Sequence, residues 1–152
     1  MGQDLSKEDL NSIKSLASAI LDLEKQRQAK ENYLENLMKN TCPNLTAVAG
    51  YLTGGKLMAI AGSLRKMVMM PSSTIQLLGA EKALFMHMIK GTKSPKHGVI
   101  IEHPIVQRVD KKDKGKASRA LADKISLAVK LDFFKGEFLG DKLRKELEDR
   151  FK

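Results

Sequence analysis

Residues 91–98 read GTKSPKHG, which places Lys93, Lys96 and His97 on a loop stiffened by Pro95. Lysine ammonium groups hold phosphate as charges and donors, and an imidazole stacks on an unpaired base. Arg119 adds a guanidinium near the start of a helical stretch. A cation there is mildly unfavourable against the helix dipole, and a bound phosphate would offset that cost. Read alone, the loop is first of all a plain solvated surface segment, with phosphate binding second. Residues 77–85, LLGAEKALF, pose a second question, because Gly79, Glu81 and Lys82 interrupt two strongly apolar helical stretches.

Nothing comparable supports catalysis. His97 and His103 flank Glu102, but neither spacing matches a helical i, i+4 ligand pair or a Cys/His finger, so no metal or cofactor site is expected. No serine lies in a nucleophile-elbow context. The Gly54-Gly55-Lys56 triplet resembles a piece of a phosphate loop, yet it lacks the leading glycine and a Ser or Thr after the lysine. Cys42 is the sole cysteine, so no disulfide forms within the chain and a reducing compartment is the default.

The elements that must position these residues are helical. Residues 5–39 form one long pattern, with Ser6 able to cap its start and Asp9 in the first turn. Heptads counted from Ile13 place Ile13, Ile20, Arg27 and Leu34 at a, and Leu16, Leu23, Lys30 and Leu37 at d. That is a coiled-coil seam interrupted by two like charges. About 35 residues at 1.5 Å each run roughly 50 Å, so the helix is expected to protrude and to want another helix along its seam. Pro43 ends it. Residues 44–70 are rich in Ala and Gly and read as two tightly packed helices with a break near Gly54-Gly55. Pro71-Ser72-Ser73 is predicted as a turn. Residues 80–90 are predicted as a helix, with Ala83, Leu84, Met86 and Met88 available for packing. Val99–Ile101 is a brief extended run stopped by Pro104, and a further helix runs from about Lys116 to Phe134. Residues 141–152 alternate charge and read as a tail that is either a solvated helix or frayed. The fold class is all-α: a coiled-coil helix over 1–42, a helical body over 43–140 and a charged tail over 141–152.

The chain has 152 residues, enough for one domain, and a net charge of +9. The excess base lies in residues 43–140, which alone carry a net +9, while residues 1–42 carry −1. A basic body suggests a polyanion partner, nucleic acid first and anionic membrane second; charge alone leaves a basic domain with no such partner open. No stretch reaches the roughly 18 apolar residues of a membrane span, and the N-terminus lacks a signal-peptide pattern. A cytosolic or nuclear location without membrane attachment is expected.

TIQLLGAEKALF, KSPKHGVIIEHP and GKASRALADKISLAVKLDFF together closely resemble the Nop domain of the archaeal and nucleolar subunits of box C/D ribonucleoproteins, and NLTAVAG and KLMAIAGSL before them also look like it. The likeness covers essentially residues 5–138. GAEKALF in full favours the box C/D branch over the spliceosomal relative. The resemblance implies an all-helical module that recognises a kink-turn RNA together with the core protein that folds it. It implies no catalysis by this chain: methylation belongs to fibrillarin, which joins through the family's N-terminal domain. That domain and the family's first coiled-coil helix are missing from these residues, so a longer parent protein is expected. Family RNA contacts map onto Gln76, Lys93, Lys96, His97 and Arg119, with Lys82 and Arg65 as weaker candidates. Gly79, Ala80, Glu81 and Lys82 are the expected protein-binding residues: Gly79 would let backbone amides approach a partner, and Leu84 and Phe85 would anchor the helix in the core. The seam residues Ile13, Leu16, Ile20, Leu23, Leu34 and Leu37 would pair subunits by self-association. The compartment would be the cytoplasm in an archaeon or the nucleolus in a eukaryote. A spliceosomal-type Nop protein, or a coiled-coil interaction domain whose basic charge is incidental, are the alternatives.

Overall fold

Proline and glycine set the helix boundaries. In the computed structural model, which describes residues 6–151, α1 (Lys7–Thr41) opens on Ser6, whose hydroxyl accepts from the Asp9 amide at 3.1 Å. Pro43 is the first residue of α2 (Pro43–Ala49), a position where its missing N–H costs nothing. Gly50, at φ 75°, separates α2 from α3 (Tyr51–Ala61), and Gly62, at φ 84°, ends α3 before α4 (Leu64–Met69). The break expected at Gly54-Gly55 is therefore displaced to both ends of α3. Gly54 lies inside α3, where a Cβ would be 3.2 Å from the Met38 methyl and 3.4 Å from Leu45, so its smallness serves close packing.

The turn expected at Pro71–Ser73 is the start of α5 (Ser72–Leu77), and α6 (Glu81–Lys90) follows after Gly79. Val99–Glu102 is one turn of 3-10 helix, not an extended run, and Pro104 opens α7 (Pro104–Arg108). Among the described residues no strand forms, and no helix is long and apolar enough to cross a membrane.

The packing centre is α8 (Lys114–Phe133), which touches α2, α4, α5, α7, the 3-10 turn and α9 (Gly140–Arg150). Its buried positions are mostly small: Ala117, Ser118, Ala120, Ala122, Ser126 and Ala128 beside Leu121, Ile125 and Val129. Small side chains on several faces let neighbouring helices surround one helix closely, and the loss of apolar area is made up by Leu45, Met67 and Ile75 from those neighbours. Of the two forms weighed for the charged tail, the helix forms, as α9, but it is folded onto α2 rather than solvated. Leu143 and Leu147, four residues apart, are buried, and a Cβ on Gly140 would lie 2.6 Å from the Ala47 methyl. Asp132 ties this corner together. Its carboxylate accepts from the Asn44 and Leu45 amides at 3.0 and 2.8 Å, capping α2, and from the Asn44 side chain at 2.9 Å.

The chain divides into two compact units, 1–34 and 35–152. In the first, α1 exposes the seam expected of it: Ile13, Leu16, Ile20 and Leu23 are each more than half exposed. Arg27 interrupts the seam and is held by Glu31 at 3.0 Å and Glu24 at 3.6 Å.

Candidate nucleic-acid interface

The loop at 91–98 is fastened to the end of α5 by backbone geometry. The Gly98 amide donates to the Gln76 carbonyl at 2.9 Å and the Val99 amide to the Leu78 carbonyl at 2.8 Å. Gly98 passes so close to α5 that a Cβ would lie 1.9 Å from the Leu78 oxygen, which only glycine permits. The Gln76 side chain completes the attachment, donating through Nε2 to the Lys96 carbonyl at 2.5 Å. Across from this loop, residues 110–113 form a turn that leads into α8, with Lys112, Gly115, Lys116 and Arg119 facing it.

Between them lies an open cleft of about 580 Å³, lined by Gln76, Lys93, Ser94, Pro95, Lys96, Lys112, Gly115, Lys116 and Arg119. Five of these are cations and none is an acid. Lys116 is the one with a carboxylate beside it, Asp113 at 2.8 Å, in an exposed i, i+3 pair worth little in water. Like charges held around a concavity focus the field and attract a polyanion.

Gln76, Lys93, Lys96 and Arg119, four of the expected RNA contacts, thus share one site. His97 sits on the same loop, half-buried, but does not line the cleft. Arg65 on α4 and Lys82 on α6 are exposed and also lie outside the lining. Lys112 and Lys116 were missed. The signal available for them was the run QRVDKKDKGKASR, a lysine cluster whose residues could not be sorted into solvated and cleft-facing without the turn at 110–113.

The GAEKALF stretch differs from expectation in two ways. Gly79 is needed for its own fold: its φ is 86° and a Cβ would lie 2.5 Å from Val99. Its amide is not free for a partner, because it donates to the Glu81 carboxylate at 2.7 Å. The second difference is larger. No residue of α6 is fully buried; Leu84 is half-buried, but Phe85 is 61% exposed, with Met88 and Ile89 at 75% and 62%, so the anchor expected of Phe85 is absent and α6 presents apolar side chains outward. Exposed apolar surface of this kind marks an interaction face.

The histidines considered as ligands are not brought together. His103 is buried, its Nδ1 accepts from the Ile105 amide at 3.3 Å at the start of α7, and a hydrogen bond joins it to the Val48 backbone. Burial, reinforced by the nearby Arg144 and Arg108 charges, pushes it down to about 4, so it stays neutral. Glu102 is exposed and paired with Lys56. Cys42 is buried, and burial with the Asp132 charge pushes its thiol up to about 11, which makes it unreactive.

Comparison with known proteins finds the family described as the snoRNA binding domain, fibrillarin (Nop), matching residues 1–152. An uncharacterized NOP5 family protein of Methanocaldococcus jannaschii is 43% identical over 150 residues, 99% of this chain and 36% of that protein. Nucleolar protein 58 of Candida albicans is 42% identical over 137 residues, 90% of this chain and 27% of that protein. Nucleolar protein 56 of Mus musculus is 40% identical over 153 residues, 99% of this chain and 26% of that protein. The chain thus spans only 26–36% of the length of these relatives. A crystal structure of a fibrillarin/Nop5p complex contains a chain that matches with a TM-score of 0.72 at 30% identity, covering 95% of this chain and 57% of that one.

Proposed function

The chain belongs to the Nop family, and from that premise we propose that it is an RNA-binding scaffold segment of a box C/D-type 2′-O-methylation ribonucleoprotein. In this reading it recognises a kink-turn RNA jointly with the core protein that folds the RNA. The observation that carries the proposal is the cation-lined cleft, where Gln76, Lys93, Lys96 and Arg119 converge with Lys112 and Lys116. A cleft lined by five cations suits phosphates. The apolar side chains that α6 presents, Phe85, Met88 and Ile89, suit a protein surface beside the GAEK turn of residues 79–82. One contact surface of each kind supports a composite partner, RNA already bound by protein.

The chain performs no chemistry of its own in this proposal. The parent protein would bring fibrillarin, and with it the methyl transfer, through a different domain. The α1 seam would pair two copies, in the nucleolus of a eukaryote or the cytoplasm of an archaeon.

The test is a gel-shift with kink-turn RNA, with and without its core protein. A supershifted ternary complex is expected only when the core protein is present. Tight binding to the naked RNA, or no binding to the RNA–core protein complex, would overturn the proposal.

A further inference from the structure

We infer that the C-terminal end of α8 is a second contact for RNA, a platform of exposed phenylalanines and lysines on which an unpaired base stacks. The inference rests on the RNA-binding reading above and adds to it a strand that leaves the cleft and runs along α8.

Position is the first observation. From Lys116 to Lys130 the exposed residues of α8 are Lys116, Arg119, Asp123, Leu127 and Lys130, each three or four residues after the last, so they share one face of the helix. That face begins in the cleft, which Lys116 and Arg119 line, and leads to Phe134 at the C-cap. Roughly 22 Å of helix axis separates Arg119 from Phe134.

The second observation is what stands at that end. Phe134 is 71% exposed, the most exposed aromatic ring among the described residues, and Phe138 is 53% exposed. The Phe133 ring meets the Phe134 ring edge-on, with centroids 5.2 Å apart. Lys130, one turn before Phe134, and Lys135, next to it, are exposed, and among the described residues neither pairs with a carboxylate. Of the two acids in 127–139, Asp132 is turned inward to cap α2, which leaves Glu137.

The third observation is the backbone of Lys135. The Gly136 amide donates back to the Leu131 carbonyl at 2.8 Å, with Lys135 between them in the left-handed region at φ 51°. That position favours glycine, and a side chain there costs stability. A cation suits a helix C-terminus, but among the described residues the Lys135 side chain makes no hydrogen bond or ion pair. The chain thus keeps, at a cost, a lysine beside a bare ring.

These features favour RNA over a protein partner. Protein interfaces are depleted in lysine, whereas single-strand binders combine stacking rings with cations that follow the backbone. A base splayed out of its helix offers the face on which such a ring stacks.

The experiment uses the full chain with the core protein and kink-turn RNA, either blunt or carrying an unpaired extension of about eight nucleotides at its 5′ or 3′ end, within the usual site size. One extension is expected to tighten the ternary complex about 5- to 100-fold over blunt RNA, the range for stacking of one base. A 2-aminopurine in that extension is expected to be quenched on binding. Phe134→Ala and Phe134→Leu, the second of which keeps apolar area without the ring, are expected to lose most of the gain and the quenching while binding blunt RNA as the unmodified chain does. An unchanged melting temperature checks their folding. Lys135→Gly is expected to raise the melting temperature by about 1–4 °C and to reduce the gain about 2- to 5-fold. No gain from either extension, with the blunt complex intact, would overturn this inference and leave the RNA-binding proposal standing. A gain that survives in both Phe134 variants would overturn it as well. Loss of the blunt complex in folded Phe134 variants would assign the rings to the core protein and overturn it too. Failure of the unmodified chain to join the blunt complex would overturn the RNA-binding proposal and this inference together.

Discussion

A cation that holds a phosphate and a cation that merely decorates a surface differ in what their removal does. Lys96 and Arg119 reach the same cleft from different elements, the 91–98 loop and α8. Lys96→Ala and Arg119→Ala should each weaken the ternary complex by about 1–3 kcal/mol, the range for a lost charge-assisted hydrogen bond, with little change in melting temperature. Normal supershifts from both variants would remove these residues from the interface. His103 makes the opposite kind of prediction, about stability alone. Its folded-state value is lowered to about 4 from an ordinary 6.5. Between those values the unfolded chain binds the proton and the folded chain does not, so stability rises with pH. The contribution is fully present above about pH 6.5 and is lost as pH falls toward 4, amounting to up to about 3 kcal/mol. Denaturant midpoints across pH 4–7 should show this fall. His103→Asn, which keeps an acceptor for the Ile105 amide but does not titrate, should flatten the curve over the same interval while lowering stability at pH 7. An unchanged pH profile would mean that other groups set the acid sensitivity.

At the scale of elements, the loop at 91–98 has no regular structure, yet it is held as firmly as a helix end because Gly98 lets it press against α5. Gly98→Ala should force the loop away from the Leu78 carbonyl, lowering stability by at least about 2 kcal/mol and disordering the loop's part of the cleft lining. Melting curves together with RNA binding would check both consequences; a variant with wild-type stability would mean that the close approach relaxes without strain. The same loop also indicates what can be read from sequence. Its limits, its lysines and its neighbourhood with Gln76 and Arg119 follow from motif and resemblance, since GTKSPKHG cannot continue a helix. Long α1 and α8 follow from periodicity. The failures share one physical cause, that apolar spacing marks a face without naming what covers it. The residues 83–88 have the composition of a core helix, but α6 turns Phe85 and Met88 to solvent. Residues 141–150 look like a solvated charge pattern, but Leu143 and Leu147 lie one turn apart and are buried where α9 meets α2, with Gly140 pressed close to Ala47. Gly54-Gly55 has the composition of a breaker, but both lie within α3 and Gly54 packs against Met38 and Leu45, neighbours supplied by other helices.

At the scale of the whole molecule, α1 leaves a large apolar stripe in water. Ile13, Leu16, Ile20 and Leu23 are 54–64% exposed, Leu37 is 48% exposed, and all five share the a/d seam. Full burial of one such side chain is worth about 1.5–3 kcal/mol, so four or five of them supply ample driving force for pairing with another helix, even after the entropy of association is subtracted. Arg27 and Lys30 fall on the same seam and oppose it, because a pair of helices brings their like charges together; Glu24 and Glu31 hold Arg27 within its own helix and lessen that repulsion. This balance predicts a weak, tunable self-association. Sedimentation equilibrium should show a monomer–dimer equilibrium that tightens at least tenfold in Arg27→Leu/Lys30→Leu, where the interruption is removed. Leu16→Asp/Ile20→Asp should weaken it at least 100-fold, since two buried anchors become charged. The melting of residues 35–152 should be unaffected by either change, because they form a separate compact unit. A chain that stays monomeric at high concentration in both forms would mean that the stripe is built for a different helix, and self-association would then be the wrong account of why so much apolar surface faces water.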